Sequence, residues 1–311
     1  MAQNKKQRRL KVGLALGSGS ARGWSHIGII RELLELGIKP DIVCGTSIGA
    51  LVGGAYASGN LDMLEKWVCG MDRMDVVRYL DVTRLGSGGA IKGERLFEYL
   101  ESQVGKPVIE DLEIPFAAVA TKLASGQELW FQDGPLLEAI RASISLPGLF
   151  TPIQIDDEWI IDGGLVNPVP VSLCRAMGAN IVIAVNLNGD LLGRRFIGED
   201  DKEVEERPEL ASLPSIEKMA EELKLRANAF LTELFDSEDD APGIFDVLAA
   251  SINIMQDRIT RSRMAGEFPD IMLAPRLSQI GLMEYHRADE AIEEGRATVR
   301  RTLPAFQGLL L

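Results

Sequence analysis

The sequence predicts an α/β protein built on a mainly parallel central sheet. Short apolar runs alternate with helical stretches from the start: strand, helix, strand and helix follow one another between Lys11 and Ser58. That order requires crossover connections, and crossovers place neighbouring strands parallel. The composition supports a sizeable core, with 46% hydrophobic and 25% charged residues over 311 positions, which rules out a disordered chain.

The run Lys11–Leu16 (KVGLAL) reads as the first strand and ends in the glycine- and serine-rich segment Gly17–Gly23. From Trp24 to Leu36 the residues Ile27, Ile30, Leu33 and Leu34 recur at helical spacing, and Gly37 stops the helix. Ile42–Cys44 is a second strand and Ile48–Ser58 a second helix. Further buried strands are expected at Phe116–Thr121, Trp159–Ile161, Ile181–Leu187 and Ile271–Leu273. Helices are expected at Arg95–Val104, Leu136–Ser143, Val171–Met177, Ile244–Ala265 and Tyr285–Leu303. No internal repeat interrupts this order. Ile42–Leu61 has 20 uncharged residues, the length of a membrane span, but five glycines and several hydroxyls mark it as a buried strand–turn–helix.

The formal net charge is −13, which argues against a general nucleic-acid binder, because a polyanion needs a cationic face. Most of that charge is local. Residues 199–240 hold 15 acidic and 5 basic side chains, with Pro208 and Pro214 among them. The stretch reads as an acidic, partly mobile, solvated insertion at about 194–243 with an exposed amphipathic helix at Ser215–Phe235, or, alternatively, as a lid or a docking segment for a protein partner. The remainder is nearly balanced and starts with a basic tail over 1–11 carrying five cationic residues, a weak anchor for an anionic membrane surface. No apolar h-region follows the tail, so a secretory signal is not expected. Three widely spaced cysteines, Cys44, Cys69 and Cys174, form no CxxC and fit a reducing cytosol rather than a disulfide or zinc framework.

The sharpest chemical feature is Gly45-Thr46-Ser47-Ile48-Gly49, a GxSxG between a predicted strand and a predicted helix. A nucleophilic serine must stand proud on a tight turn, and flanking glycines let other backbone pass without a Cβ clash. The helix that follows aims its positive end at a developing oxyanion. The second feature is the loop Gly17, Ser18, Gly19, Ser20, Ala21, Arg22 and Gly23, whose amides could converge on an anion. It is no P-loop, since no Gly-Lys-Ser/Thr closes it, and a dinucleotide fingerprint would need glycine one residue earlier than Gly23. An oxyanion hole needs only amides. Arg22, a cation at a helix N-terminus, calls for a negative partner, either an anion or a structural carboxylate.

A base is also needed. His26 sits on the first helix in a packing position, and His286 starts a charged helix as a surface residue, though the order Ser47, Asp162, His286 allows a triad to be written. Asp162 is the better base, standing at the end of an apolar strand before Gly163 and Gly164. In a dry pocket its pKa rises toward a useful range, although Asp-Gly is also a favoured turn pair.

Four blocks appear in order: LALGSGSARGWSHIG (14–28), GTSIGALVGGAYASG (45–59), ASISLPGLFTPI (142–153) and DGGLVNPVPV (162–171). Together they resemble the patatin-like phospholipase family, in its bacterial branch near neuropathy target esterase. RMAGEFPDIMLAP (263–275) is similar too, while the acidic insertion is uncovered. The resemblance implies a three-layer α/β/α fold, a catalytic domain over 12–303 and a short C-terminal tail over 304–311. It implies a Ser–Asp dyad rather than a triad, with Ser47 as nucleophile, Asp162 as base and the amides of the 17–23 loop as oxyanion hole. Arg22 would steady that loop or meet a lipid phosphate, and Ser143–Gly148 would line an acyl pocket. Ser18 and Ser20 depart from the family's run of glycines. The activity implied is hydrolysis of acyl lipids or other acyl esters, with no metal or cofactor, in the cytoplasm or peripherally at the inner membrane surface. Two other readings stand beside it: a dinucleotide-binding module on the 17–23 loop with Asp41 near the ribose, and a regulatory scaffold acting through residues 199–240. No aromatic-rich run marks an acyl pocket, aromatics being 6% of the chain.

Overall fold

The computed structural model describes residues 10–80, 89–189 and 244–307. The expected basic tail before residue 10, the acidic insertion with its helix at Ser215–Phe235 and the last four residues lie outside the described residues.

The first half of the chain forms β1 (Val12–Leu16), a 3₁₀ turn (Ser20–Trp24), α1 (Ser25–Glu35), β2 (Ile42–Thr46) and α2 (Ile48–Ala57). It continues through α3 (Leu61–Cys69), α4 (Arg73–Leu80), β3 (Gly89–Ile91), α5 (Glu94–Val104), β4 (Phe116–Lys122) and β5 (Glu128–Phe131). There follow α6 (Leu136–Ser143), β6 (Gly148–Phe150), β7 (Ile153–Ile155), β8 (Glu158–Asp162), α7 (Val171–Ala176) and β9 (Ile181–Val185). The C-terminal part holds α8 (Ile244–Met264), β10 (Ile271–Leu273), α9 (Ala288–Arg301) and α10 (Leu303–Phe306).

The main sheet has the order β10-β9-β1-β2-β4-β8-β7, with β5 on the other edge of β4, and β3 pairs with β6 in a separate ribbon. The ladders from β10 to β4 are all parallel, and those of β5, β7 and β8 are antiparallel. The parallel strands are apolar along their length because both faces are covered. Leu14, Leu16, Val43, Ile183 and Val185 pack with α1, α2 and α9 on one side. The alternate residues Ala15, Cys44, Val182 and Ala184 pack with Val171, Leu173 and Cys174 of α7 on the other. The sheet is thus mixed but mostly parallel, with helices on both faces.

The apolar stretch 42–61 is the strand–turn–helix expected of it, and among the described residues no helix is long and apolar enough to cross a membrane. Helices α3 and α4 and strands β3, β5, β6 and β7 were not expected. Except for α3 and α4, they are runs of three or four residues, too short to carry a period. The β7–β8 hairpin turns on Asp156 and Asp157, at φ 47° and 63°, the left-handed pair a two-residue loop needs.

Candidate active site

Ser47 follows the last residue of β2 and caps α2 with φ 58° and ψ −126°. A non-glycine residue holds such backbone only when its surroundings over-determine it. Here they do. The Thr46 hydroxyl donates to the Asn167 carbonyl at 2.8 Å. The Ser47 N–H donates to Ser143 Oγ at 2.8 Å, and that hydroxyl donates on to the Val119 carbonyl at 2.6 Å. Gly45 lies where α2 turns back over the strand: a Cβ there would meet the Gly49 carbonyl and lie 2.5 Å from the Ala50 backbone. Gly45→Ala is therefore expected to lower stability by at least about 2 kcal/mol, read from the urea midpoint at unchanged m-value.

The register of β4 explains what Ser47 meets. β2 pairs along one edge of β4 as far as Thr46 opposite Val119. β5 occupies the other edge, opposite Ala118 to Thr121. β8, which faces Ala120 to Lys122, must then take the edge that β2 has left, with Asp162 opposite Ala120. The two strands run in opposite directions and meet end to end, so Ser47 and Asp162 come together from 115 residues apart. The Ser47 hydroxyl donates to Asp162 Oδ2 at 2.6 Å.

Asp162 is fully buried. Its Oδ1 accepts the Gly164 N–H at 2.6 Å, its own N–H donates to the Ser145 carbonyl at 2.9 Å and its carbonyl accepts the Thr121 hydroxyl at 2.9 Å. Gly163 and Gly164 open the 3₁₀ turn behind it. Burial pushes the carboxyl up to about 7, and the bonds from Ser47 and Gly164 offset only part of that rise.

The 17–23 loop is less uniform than the sequence suggests. Gly17 N–H donates to Val185, Ser18 N–H to Pro168 and Ala21 N–H to Leu282, all to backbone carbonyls. The chain then coils into the Ser20–Trp24 turn, with Ser20 at φ 52°. The amides of Gly19 and Ser20 remain, with no acceptor among the described residues, beside the cavity that Ser47 lines. Arg22 is buried, its Nε donating to the Gly19 carbonyl at 3.2 Å and its Nη2 to Asn253 at 3.0 Å. It braces the loop from inside. Gly23 packs on Ile48, which joins loop and elbow.

Neither histidine bonds to the Ser47–Asp162 pair. His26 is buried with Nε2 2.8 Å from the Gly17 carbonyl, and burial lowers its pKa to about 4, so it is a neutral donor that props the loop. His286 Nε2 takes a bond from Arg73 at 3.4 Å, and burial and the nearby arginines lower its pKa.

A cavity partly open to solvent adjoins Ser47 and is lined mainly by apolar side chains. Ile144 and Leu146 form part of its wall, within the expected 143–148 stretch. Five aromatic residues also line it: Trp24, Trp67, Tyr79, Phe150 and Tyr285. This wall leaves no local signal in the sequence because its members come from five separate parts of the chain. Gln256 on α8 was missed for the same reason. Its Oε1 accepts Ser18 Oγ at 3.0 Å and Asn188 Nδ2 at 2.9 Å.

Residues 14–175 match the family model described as patatin-like phospholipase. NTE family proteins of Mycobacterium bovis and Mycobacterium tuberculosis, described as uncharacterised, are 32% identical over 96% of this chain and 92% of theirs. The mouse patatin-like phospholipase domain-containing protein 7 is 34% identical over 57% of this chain and 13% of its own. Among solved structures, VipD from Legionella pneumophila aligns over 95% of this chain and 67% of its own, with a TM-score of 0.43 and 12% identity.

Proposed function

The chain belongs to the patatin-like phospholipase family, and on that premise we propose that it is a serine hydrolase of lipid acyl esters working through a Ser47–Asp162 dyad. The 2.6 Å bond from the Ser47 hydroxyl to Asp162 carries this reading. A nucleophile and a base at that distance need no third group to relay the proton, and a base with a pKa of about 7 is matched to neutral pH.

In the first half-reaction the Ser47 oxygen attacks the ester carbonyl carbon while its proton passes to Asp162 Oδ2. The carbonyl π electrons move onto oxygen, where the amides of Gly19 and Ser20 and the positive end of α2 stabilise the charge. Collapse breaks the bond to the alcohol, which leaves with the proton from Asp162. The acyl group stays on Ser47 with its chain in the apolar cavity. In the second half-reaction Asp162 takes a proton from water, the hydroxide attacks the acyl carbon and Ser47 leaves, recovering the proton. Arg22 and His26 serve this chemistry by holding the loop.

The test is labelling with an alkyl fluorophosphonate, a probe of activated serines, followed by peptide mapping. The adduct should sit on Ser47 and form at an unchanged rate in His286→Ala. A loss of several orders of magnitude in that variant would replace the dyad with a triad.

A further inference from the structure

Two side-chain hydroxyls beside the free amides are not used by the mechanism above. Ser20 Oγ and Tyr285 OH lie 2.6 Å apart, and both residues line the cavity that holds Ser47. Two hydroxyls carry two protons, and their mutual bond consumes one. Neither oxygen is bonded to another acceptor among the described residues, so one proton is left for the cavity.

The pair is held in place from both sides. The Tyr285 carbonyl accepts Trp24 Nε1 at 3.1 Å, and the two rings meet edge to face at 6.0 Å. The Leu282 carbonyl accepts the Ala21 amide at 3.2 Å, which ties the segment carrying Tyr285 to the loop. Ser20 has the left-handed backbone of a residue fixed by its surroundings, as Ser47 does. Either oxygen can be the donor in this bond; with the more acidic tyrosine hydroxyl donating to the serine oxygen, the serine proton is turned to the cavity and strengthened as a donor. Burial pushes the Tyr285 hydroxyl up to about 12, so it stays protonated across the working range.

We propose that Ser20 offers its hydroxyl as well as its amide to the substrate carbonyl oxygen, and that Tyr285 is the positioning residue that orients and polarises that hydroxyl. The inference rests on the reading of Ser47 as nucleophile. It makes this oxyanion site part side chain, with one donor supplied through a residue more than 260 positions away in sequence.

The experiment is a double-mutant cycle with a short p-nitrophenyl ester, with fluorophosphonate labelling of Ser47 followed in parallel. Ser20→Ala keeps the amide and is expected to lower kcat about tenfold with KM nearly unchanged, below the full worth of an oxyanion donor because the amides remain. Tyr285→Phe should lower kcat about fivefold in the parent, with a melting temperature close to it, and by nothing further in the Ser20→Ala background. Losses that multiply in the double variant, or an unchanged kcat in Ser20→Ala, would overturn the proposal. If Tyr285→Phe does not fold, Ser20→Ala alone decides. A parent protein that labels and turns over while both variants match it sinks only this inference. A parent that does neither sinks the dyad reading as well.

Discussion

Ser47→Ala is expected to lower kcat/KM for acyl esters by about four orders of magnitude or more, with the fold intact. The size follows from what the substitution removes. Without Oγ no acyl-enzyme can form, and Asp162 can act only on water, whereas the cavity and the loop amides still bind the ester. Such residual binding accelerates hydrolysis over water but does not restore covalent catalysis. The backbone cost does not change, because alanine meets the same steric limits at φ 58° as serine does. The hydroxyl also contributes a bond that lowers the Asp162 pKa, so its loss leaves the buried carboxyl still harder to ionise. Thermal unfolding and initial rates of the purified variant check both halves of the expectation. Turnover within tenfold of the parent would remove Ser47 from the mechanism.

The elbow was legible in the sequence because its signal is local: an apolar strand, a serine between glycines, and a helix of small residues all fall within 42–57. Asp162 was legible as a strand end before two glycines and as the better base, and the resemblance implied its pairing with Ser47, but not how the fold brings the two together. That pairing depends on β8 taking over the β4 edge where β2 stops, a fact of register with no trace in either segment. The amides of the 17–23 loop were read together as the oxyanion hole, whereas the structure commits three of them to carbonyls of residues 168, 185 and 282. Those acceptors lie on distant elements, and so do Gln256 and Tyr285, which hold the hydroxyls of Ser18 and Ser20. Side-chain bonds at both serines supply restraint at two positions where the sequence reading had noted only a loss of glycine. Arg22 was open between anion contact and internal brace, and it is buried with bonds to the Gly19 carbonyl and to Asn253.

Asp162→Asn is expected to abolish catalysis and stabilise the protein in one step. The amide is close to the carboxylate in shape and can still accept the Gly164 N–H, but it cannot take the Ser47 proton, so kcat should fall about 10³- to 10⁴-fold. Stability moves the other way. Folding raises the Asp162 pKa from 3.8 to about 7, so between those values the folded state holds a proton that the unfolded state has released. Stability therefore falls as pH rises through this window, and above about pH 7 the full cost of the buried charge is present. At 1.36 kcal/mol per unit, that cost is on the order of 4 kcal/mol. The asparagine variant escapes it. Its unfolding free energy should exceed that of the parent by a few kcal/mol at pH 8, with the gap closing toward pH 4. The same ionisation sets activity, because only the carboxylate is a base: kcat/KM of the parent should climb with pH and level off above about 7. A variant less stable than the parent at pH 8, or an activity profile flat from pH 5 to 8, would mean that Asp162 does not carry this proton. The charge that catalysis needs is thus one that folding disfavours, and among the described residues the site holds it with two hydrogen bonds, one of them from the nucleophile itself.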